Sequence, residues 1–305
     1  MKKEKVIMFS LFILFFVAIS ISLTNRSIIS SSSSTKLAPT SSFKSGIAII
    51  ELYGPIGFPS RPVSISSPIA NTLKQLNSIK DDSRVKAVII RINSPGGTVG
   101  ASQELYHAIL SVKKARNIPI VISIADMAAS GGYYVALAGD TIFANEGSLV
   151  GSVGVIMGNM DFSEVQDRYG IGFNVVKSGP YKDVFSSWRK PSAADKALLQ
   201  SMVDNVQSQF VASLQNSRNL KPTTAKQVAK GGVYSGQQAL EMGLVDYTGT
   251  FQDAITFTAK TAGLPAKPHL IYKSKPSVYD LMDFWSDQIG SLFSLSWSAP
   301  SILMR

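Results

Sequence analysis

From Gly46 onward, apolar segments of β-type composition alternate with segments of helical periodicity. Residues 46–53 and 85–92 are rich in β-branched and other aliphatic residues, and the second (VKAVIIRI) is apolar enough to be buried on both faces of a sheet. Apolar residues recur at helical spacing in 67–80, and a helix is predicted at 99–116. This alternation predicts an α/β domain with a largely parallel sheet.

The alternation continues through the rest of the domain. It predicts further strands at 118–124, 141–144, 153–157 and 173–177. It predicts further helices at 129–138, 192–217, 222–230, 235–242 and 250–262. The sequence contains no internal repeat, which excludes a solenoid or a propeller.

Composition excludes several classes of protein. Of the 305 residues, 45% are hydrophobic and 16% are charged, which excludes a disordered chain. The absence of cysteine excludes thiol nucleophiles, disulfide frameworks and cysteine zinc sites. With His107 and His269 as the only histidines, a three-histidine metal site is also excluded, and no cofactor is predicted.

The net charge of +10 is unevenly distributed. Residues 1–45 contain six basic side chains and one acidic side chain, Glu4, while the remaining excess is spread over a much longer segment. A nucleic-acid binder would show a basic stripe or a known recognition motif, and neither is present. We therefore predict no nucleic-acid partner.

The N-terminus has the features of a membrane signal. Residues 6–23 carry no charge and are just long enough to cross a hydrocarbon core, and Lys2, Lys3 and Lys5 precede them. The positive-inside rule then places the N-terminus in the cytoplasm and the rest of the chain outside. We predict a retained anchor at 1–24, with a cleaved signal peptide as the alternative because both begin with such a run.

The remaining boundaries follow from composition. Residues 25–45 are rich in serine and predict a flexible linker. The folded domain is predicted at 46–275. The tail at 276–305 contains Trp285 and Trp297 and predicts an amphipathic helix, for which core packing, subunit contact and membrane contact are all open.

Two glycine pairs follow two of the predicted strands. Asn93-Ser94-Pro95-Gly96-Gly97 comes after VIIRI, and Ser130-Gly131-Gly132 comes after VISIAD. Glycines at strand-to-helix turns allow backbone N–H groups to point into a cleft, and two such turns side by side can form an oxyanion hole. Ser130 would then be well placed to act as a nucleophile. Taken one at a time, each pair is equally compatible with an ordinary tight turn.

A serine nucleophile needs a base. His107 lies in the middle of a predicted helix, and nothing in the sequence connects His269 with a site. Lys182 lies in the glycine-proline turn 178–183, but it could act as a base only if burial lowered its pKa. Lowering that pKa from about 10.4 to near 7 costs the ammonium form roughly 4–5 kcal/mol. An apolar wall is required, and Tyr181, Val184 and Phe185 could supply part of it.

These segments together resemble the signal peptide peptidase SppA family in its short, single-copy form, which is peptidase family S49 of the ClpP/crotonase superfamily. The matching stretches cover most of the predicted domain and are RINSPGG (91–97), ADMAASGGYYVALAGD (125–140), GSLVGSVGVIM (147–157), KSGPYKDVFSSWR (177–189) and GGVYSGQQALEMGLVD (231–246). The resemblance implies a ClpP/crotonase-like α/β fold with repeated β-β-α units, and assembly into rings or domes. The segment KDVFSSWRKPS departs from the family pattern, which would have more glycine and proline there.

Roles for five residues follow from the resemblance. It implies Ser130 as nucleophile, Lys182 as general base and Ser152 as the hydroxyl that orients the lysine. It implies the amides of Gly97 and Gly131 as oxyanion donors. In such assemblies the serine and the lysine can come from neighbouring chains.

The implied function is that of a membrane-anchored serine endopeptidase with a Ser-Lys dyad. The resemblance implies that it degrades remnant signal peptides and other apolar peptides on the outward side of the membrane. Two alternatives are a crotonase-type acyl-CoA enzyme, which would share the fold and the oxyanion hole, and a catalytically inactive membrane-associated scaffold.

Overall fold

The computed structural model describes residues 44–58, 68–273 and the backbone of 303–304. The strands in these residues are β1 (Gly46–Tyr53), β2 (Val85–Ser94), β3 (Gly97–Thr98), β4 (Ile120–Ala129), β5 (Thr141–Ala144), β6 (Leu149–Gly151), β7 (Val233–Ser235), β8 (Tyr247–Thr248), β9 (His269–Tyr272) and β10 (Leu303–Met304). The helices are α1 (Pro68–Lys80), α2 (Val99–Arg116), α3 (Gly131–Ala136), α4 (Ser163–Tyr169), α5 (Ala193–Ser217), α6 (Pro222–Val228), α7 (Gly236–Glu241) and α8 (Phe251–Thr261).

Eight of the described strands form one sheet, whose main path runs β7-β6-β4-β2-β1-β9. Every ladder in this sheet is parallel except that between β6 and β7. The long strand β4 has two partners on one side, since Val121–Ile124 pairs with β5 and Met127–Ala129 pairs with β6. Because the central strands are parallel, the turns that follow β2 and β4 lie at the same edge of the sheet.

Both faces of the sheet are covered, as the apolar composition of 85–92 predicts. Along β2, Val88, Ile90 and Ile92 belong to the larger core cluster, which includes residues of α1, α2 and α3. The alternate residues Ala87 and Ile89 belong to the second cluster, which includes residues of α8. Fully burying one such aliphatic side chain contributes about 1.5–3 kcal/mol, so the two-sided core fixes the position of β2.

Most of the predicted elements are confirmed. Strands at 46–53 and 141–144 and the helix at 99–116 have the predicted bounds, and the other predicted helices differ by a few residues at their ends. The β-strand, β-strand, helix succession implied by the resemblance occurs in β2-β3-α2 and β5-β6-α4. The mixed α/β fold is therefore as expected.

Two predicted strands are wrong. No strand spans 153–157, because the strand in this region is Leu149–Gly151 and Ser152 interrupts it with a φ of 52°. No strand spans 173–177 either, although Phe173 and Val175 have strong β propensity. Phe173 is 50% exposed, and no described strand pairs with this segment.

Several predictions concern residues outside the described part of the chain. The anchor at 1–24, nearly all of the linker at 25–45 and almost the whole tail at 276–305 belong to this group. Among the helices that the structure describes, none combines the length and the apolar composition needed to cross a bilayer. Of the tail, only the backbone of β10 is described, and it pairs antiparallel with β3.

Candidate active site

Ser130 lies at the turn between β4 and α3. Its backbone N–H donates to the carbonyl of Gly151 (2.8 Å), and its own carbonyl accepts from Tyr134 N–H (2.8 Å), which closes the first turn of α3. Its φ is 52° and its ψ is −120°, a conformation that an L-residue adopts only when its surroundings enforce it. The strand and the helix on either side supply that constraint.

The hydroxyl of Ser130 is buried and has no hydrogen-bond partner among the described residues. A buried hydroxyl without a partner costs about 1–3 kcal/mol. Most native structures avoid that cost, and exceptions occur at strained or catalytic positions. The hydrogen-bonding capacity of Ser130 Oγ is therefore unused within the described chain.

Ser152 is the next residue beyond the β4–β6 ladder, whose last pair is Ala129 and Gly151. Ser130 N–H donates to the carbonyl of Gly151, the residue directly before Ser152. Ser152 also has a φ of 52° and is 7% exposed, and its N–H donates to Gly232 O (2.7 Å). The structure brings these two predicted site serines together at the carboxyl edge of the sheet.

The two glycine turns meet at the same point. A Cβ placed on Gly131 would lie 3.2 Å from the amide nitrogen of Gly97, so the backbones of these two residues are in close approach. A Cβ on Gly97 would lie 1.8 Å from the carbonyl oxygen of Ile56. Neither position has room for a side chain. The two glycine turns therefore meet in close backbone contact next to Ser130, the residue that precedes Gly131.

Several polar side chains that the sequence analysis did not assign to the site hold the first glycine turn, residues 93–97, in place. Ser94 Oγ accepts from Gly96 N–H (3.2 Å), and the Asn93 side chain accepts from Met127 N–H (3.3 Å) and donates to Asp126 (2.8 Å). Ser102 Oγ donates to Thr98 O (2.9 Å) and would lie 2.3 Å from a Cβ on Gly131. A serine one turn into a helix is too common a feature for the sequence to have revealed this contact.

We predict that Gly131→Ala lowers both stability and activity. Gly131 is a helical residue without a positive φ, so the cost comes from crowding against Ser102 Oγ, and overpacking of this kind typically costs about 1–3 kcal/mol. Thermal unfolding and kcat measure the two effects. The double variant Gly131→Ala, Ser102→Ala removes the crowded oxygen and should recover part of the lost stability. Wild-type stability in Gly131→Ala alone would contradict the packing that we describe.

The helix α3 is anchored from the opposite side. Tyr133 is fully buried, and its hydroxyl donates to Leu244 O (2.7 Å). Burial raises the pKa of Tyr133, so this hydroxyl keeps its proton and the hydrogen bond persists across the physiological range. The turn that holds Ser130 is thereby fixed to the core at both ends.

Lys182 is not brought to Ser130 in the single chain. It lies in a turn in which its N–H donates to Gly179 O (3.2 Å), and its side chain is exposed. Tyr181 is 46% exposed, while Val184 and Phe185 are half-buried. The predicted buried lysine is therefore not found within one chain, in which the side chain of Lys182 is exposed.

The two histidines are not associated with the serine. His107 is exposed on α2 and packs edge-on against Tyr106 with a centroid distance of 5.3 Å. His269 is exposed on β9, at the end of the sheet path away from β6. Neither ring hydrogen-bonds Ser130 Oγ, which is consistent with a base other than histidine.

Comparison with known proteins supports the fold. The family model for Peptidase family S49 matches residues 112–265, and the model for Clp protease matches residues 60–147. Together they support a ClpP-like α/β fold. Both matched regions include Ser130, and the first also includes Ser152 and Lys182.

Three relatives illustrate the range of similarity. A candidate protease of Synechocystis sp. is 37% identical over 82% of this chain and 90% of its own length. A candidate signal peptide peptidase SppA of Enterococcus faecium is 35% identical over 72% of this chain and 62% of its own length. The chloroplastic serine protease SPPA of Arabidopsis thaliana is 31% identical over 76% of this chain, but the match spans only 35% of that protein.

Proposed function

The chain belongs to peptidase family S49 and is a serine peptidase, and on this basis we propose that it is a membrane-anchored endopeptidase that cleaves apolar peptides with a Ser-Lys dyad. The observation that carries the proposal is the buried, unbonded hydroxyl of Ser130 at a strained turn beside the amides of Gly97 and Gly131. An orphaned hydroxyl next to two backbone donors is the arrangement that acyl transfer requires.

In the proposed mechanism, neutral Lys182 accepts the hydroxyl proton of Ser130 as Oγ attacks the carbonyl carbon of the scissile peptide bond. The amides of Gly97 and Gly131 donate to the developing oxyanion, and losing one such donor typically costs about 10²–10³ in rate. The ammonium of Lys182 then protonates the leaving amine. A water molecule, deprotonated by the lysine, hydrolyses the acyl-enzyme and restores Ser130.

We propose that Lys182 reaches Ser130 of a neighbouring copy. Within one chain, Ser130 Oγ is buried and unbonded while Lys182 is exposed, so the two residues of the proposed dyad do not meet there. A cyclic assembly with a repeated head-to-tail interface brings the two residues together at every site. The hydroxyl of Ser152, the residue after Gly151 whose carbonyl accepts from Ser130 N–H, would receive and orient the incoming amine.

Exposed apolar side chains in 156–202 support such an assembly. This segment contains α4, the turn of Lys182 and the first part of α5. Along the whole of α5, the buried residues in the described chain are Asp195, Phe210 and Leu214. Contiguous exposed apolar surface marks interaction sites. The exposed apolar residues of the segment are Ile156, Met160, Phe162, Val165, Tyr169, Ile171, Phe173, Val175, Val176, Tyr181, Leu198 and Met202. Burial of this surface between copies would also supply the low-dielectric surroundings that a neutral lysine needs.

An extended peptide has a strand to pair with beside the nucleophile. The strand β3 begins at Gly97, and its antiparallel pairing with the backbone of Leu303–Met304 illustrates that its edge accepts an extended segment. Addition of a peptide strand to a sheet edge gives affinity through main-chain hydrogen bonds and depends little on side-chain identity. We propose that substrates bind β3 in this antiparallel direction.

Apolar substrates follow from the predicted anchor at 1–24, which would hold the catalytic domain at the outer surface of the membrane. Remnant signal peptides are apolar and lie there after release from their precursors. The Enterococcus faecium relative is named as a signal peptide peptidase, and we extend that substrate class to this chain as a proposal.

Covalent labelling tests this function. The full-length protein in detergent micelles should react with a serine-directed electrophile at Ser130 and should cleave a synthetic signal peptide within its apolar stretch. Mass spectrometry locates both the adduct and the cleavage site. A folded protein that forms no adduct and releases no fragment would support an inactive scaffold instead, and adduct formation without cleavage of apolar peptides would contradict the substrate class.

A further inference from the structure

The turn that carries Lys182 contains a carboxylate at the adjacent position, Asp183. A free carboxylate beside a lysine stabilises the ammonium form and raises its pKa. A general base needs the opposite, because only the neutral amine accepts a proton. The partners of Asp183 therefore bear on the chemistry proposed for Lys182.

Both oxygens of Asp183 are already bonded to cations. Arg189 donates to them through Nε (3.0 Å to Oδ2) and Nη2 (2.8 Å to Oδ1), and Lys177 Nζ donates to Oδ1 (2.7 Å). Bidentate pairing of this kind is strong and directional. The hydrogen bonds from Arg189 and Lys177 hold the pKa of Asp183 well below its usual range, so this carboxylate is charged and paired at neutral pH.

Arg189 also connects this turn to α5. Its Nη1 donates to Asp195 Oδ2 (2.6 Å), and the same oxygen accepts from Ser192 N–H (2.9 Å) and Ser192 Oγ (2.8 Å), which forms the capping box of α5. Asp195 is 2% exposed, so this end of the connection is fixed. The exposed turn of Lys182 is thereby attached to a long helix through one guanidinium.

The charges of the side chains around Asp183 balance. Asp183 and Asp195 are matched by Lys177 and Arg189. From the neighbouring segment, Glu164 on α4 pairs with Lys190 (2.9 Å), and Asp161 accepts from Ser163 N–H (2.9 Å). Hydrogen bonds from Arg189 lower the pKa of Asp183 and of Asp195, and those from Ser163 lower the pKa of Asp161, so these three carboxylates remain charged at neutral pH.

We propose that Arg189 is a positioning residue for Lys182, which keeps the carboxylate of Asp183 away from the catalytic amine and fixes the turn that presents it. This inference rests on the proposed role of Lys182 as the base. Without Arg189, the carboxylate of Asp183 would retain only Lys177 and could turn toward Lys182. The amine would then bind its proton more tightly, and the base would become active only at higher pH.

The pH dependence of kcat/KM for an apolar peptide, measured on the full chain in detergent, tests the proposal. On the acidic limb of this profile, activity falls as the base becomes protonated. Arg189→Gln should shift that limb to higher pH by about one unit, the size of shift that a nearby opposite charge produces. Activity at neutral pH should therefore fall about tenfold and recover at high pH. The double variant Arg189→Gln, Asp183→Asn removes the released charge and should return the limb close to its wild-type position, and Arg189→Lys should give an intermediate shift.

Arg218→Gln is the matched control, because Arg218 forms a comparable two-point bond to Asp246 (2.9 Å and 2.9 Å) that has no contact with the turn of Lys182. It should lower thermal stability and leave the limb unmoved. A uniform loss of activity at all pH values in Arg189→Gln, or a limb that stays raised in the double variant, would overturn the inference. Should Arg189→Gln fail to fold, Asp183→Asn alone decides, since a raised limb there contradicts the proposal and an unchanged or lowered one supports it. Retained activity in Lys182→Ala would instead overturn the proposed base itself, so the two failures are distinguishable.

Discussion

Replacement of Ser130 by alanine should reduce peptide cleavage by a factor of about 10⁴ or more, since removal of the nucleophile of a serine peptidase leaves only the contribution of the oxyanion hole and of substrate binding. The fold should survive. Ser130 Oγ makes no hydrogen bond within the described chain, so its loss removes no partner, and alanine is no worse than serine at a φ of 52°. The kcat for a synthetic apolar peptide and the midpoint of thermal unfolding measure the two expectations.

A second serine provides the control for this variant. Ser208 is exposed on α5, its hydroxyl donates to the carbonyl of Asp204 in the same helix (2.8 Å), and Ser208→Ala should retain wild-type kcat. Near-wild-type cleavage by Ser130→Ala, with the protein folded, would remove Ser130 from the mechanism. The buried hydroxyl would then be a structural feature of the turn only.

Replacement of Lys182 by alanine should be comparably severe. A serine without a base keeps its proton at neutral pH, so cleavage should fall by about 10⁴ or more, as it does when the base of a serine peptidase is removed. The exposed side chain of Lys182 has no ion pair in the described part of the chain, so stability should change little. Lys260, another exposed lysine, on α8 and outside the segment 156–202, is the control, and Lys260→Ala should remain active.

Mixing the two inactive variants tests how the dyad is assembled. If each site takes its serine from one copy and its lysine from the next, reassembly of equal amounts of Ser130→Ala and Lys182→Ala should restore about a quarter of the sites, as random placement around a head-to-tail ring requires. If one chain supplied both groups, the mixture would stay inactive. That result, with assembly verified by light scattering, would exclude the shared site.

The local structure was largely predictable from the sequence. The strands 46–53 and 141–144 and the helix 99–116 have the predicted bounds, because periodicity and flanking turn residues are local signals. The positions of Ser130, Gly97 and Gly131 were also predictable, since both glycine turns follow parallel strands and so lie at one edge of the sheet.

The errors have a common physical cause. The segments 153–157 and 173–177 have the composition of strands, but a strand also needs a neighbour and a regular backbone. For the first segment, the positive φ of Ser152, the residue just before it, ends the strand at Gly151. In the second, no described strand lies alongside. Propensity describes a residue, whereas pairing is a property of the whole sheet.

The amino-acid order thus indicated the candidate site residues and determined the local turns that carry them, because local turns depend on neighbours in the chain. The tertiary structure alone bonded Ser130 N–H to Gly151, the residue before Ser152, and left the hydroxyl of Ser130 without a partner in the described chain. It also left Lys182 exposed, in a turn whose Asp183 is bonded by Arg189. These relations join residues that are distant in sequence, through strand register, burial and side-chain geometry. Such quantities exist only once the chain has folded, and the environment of Lys182 depends further on what packs against its segment.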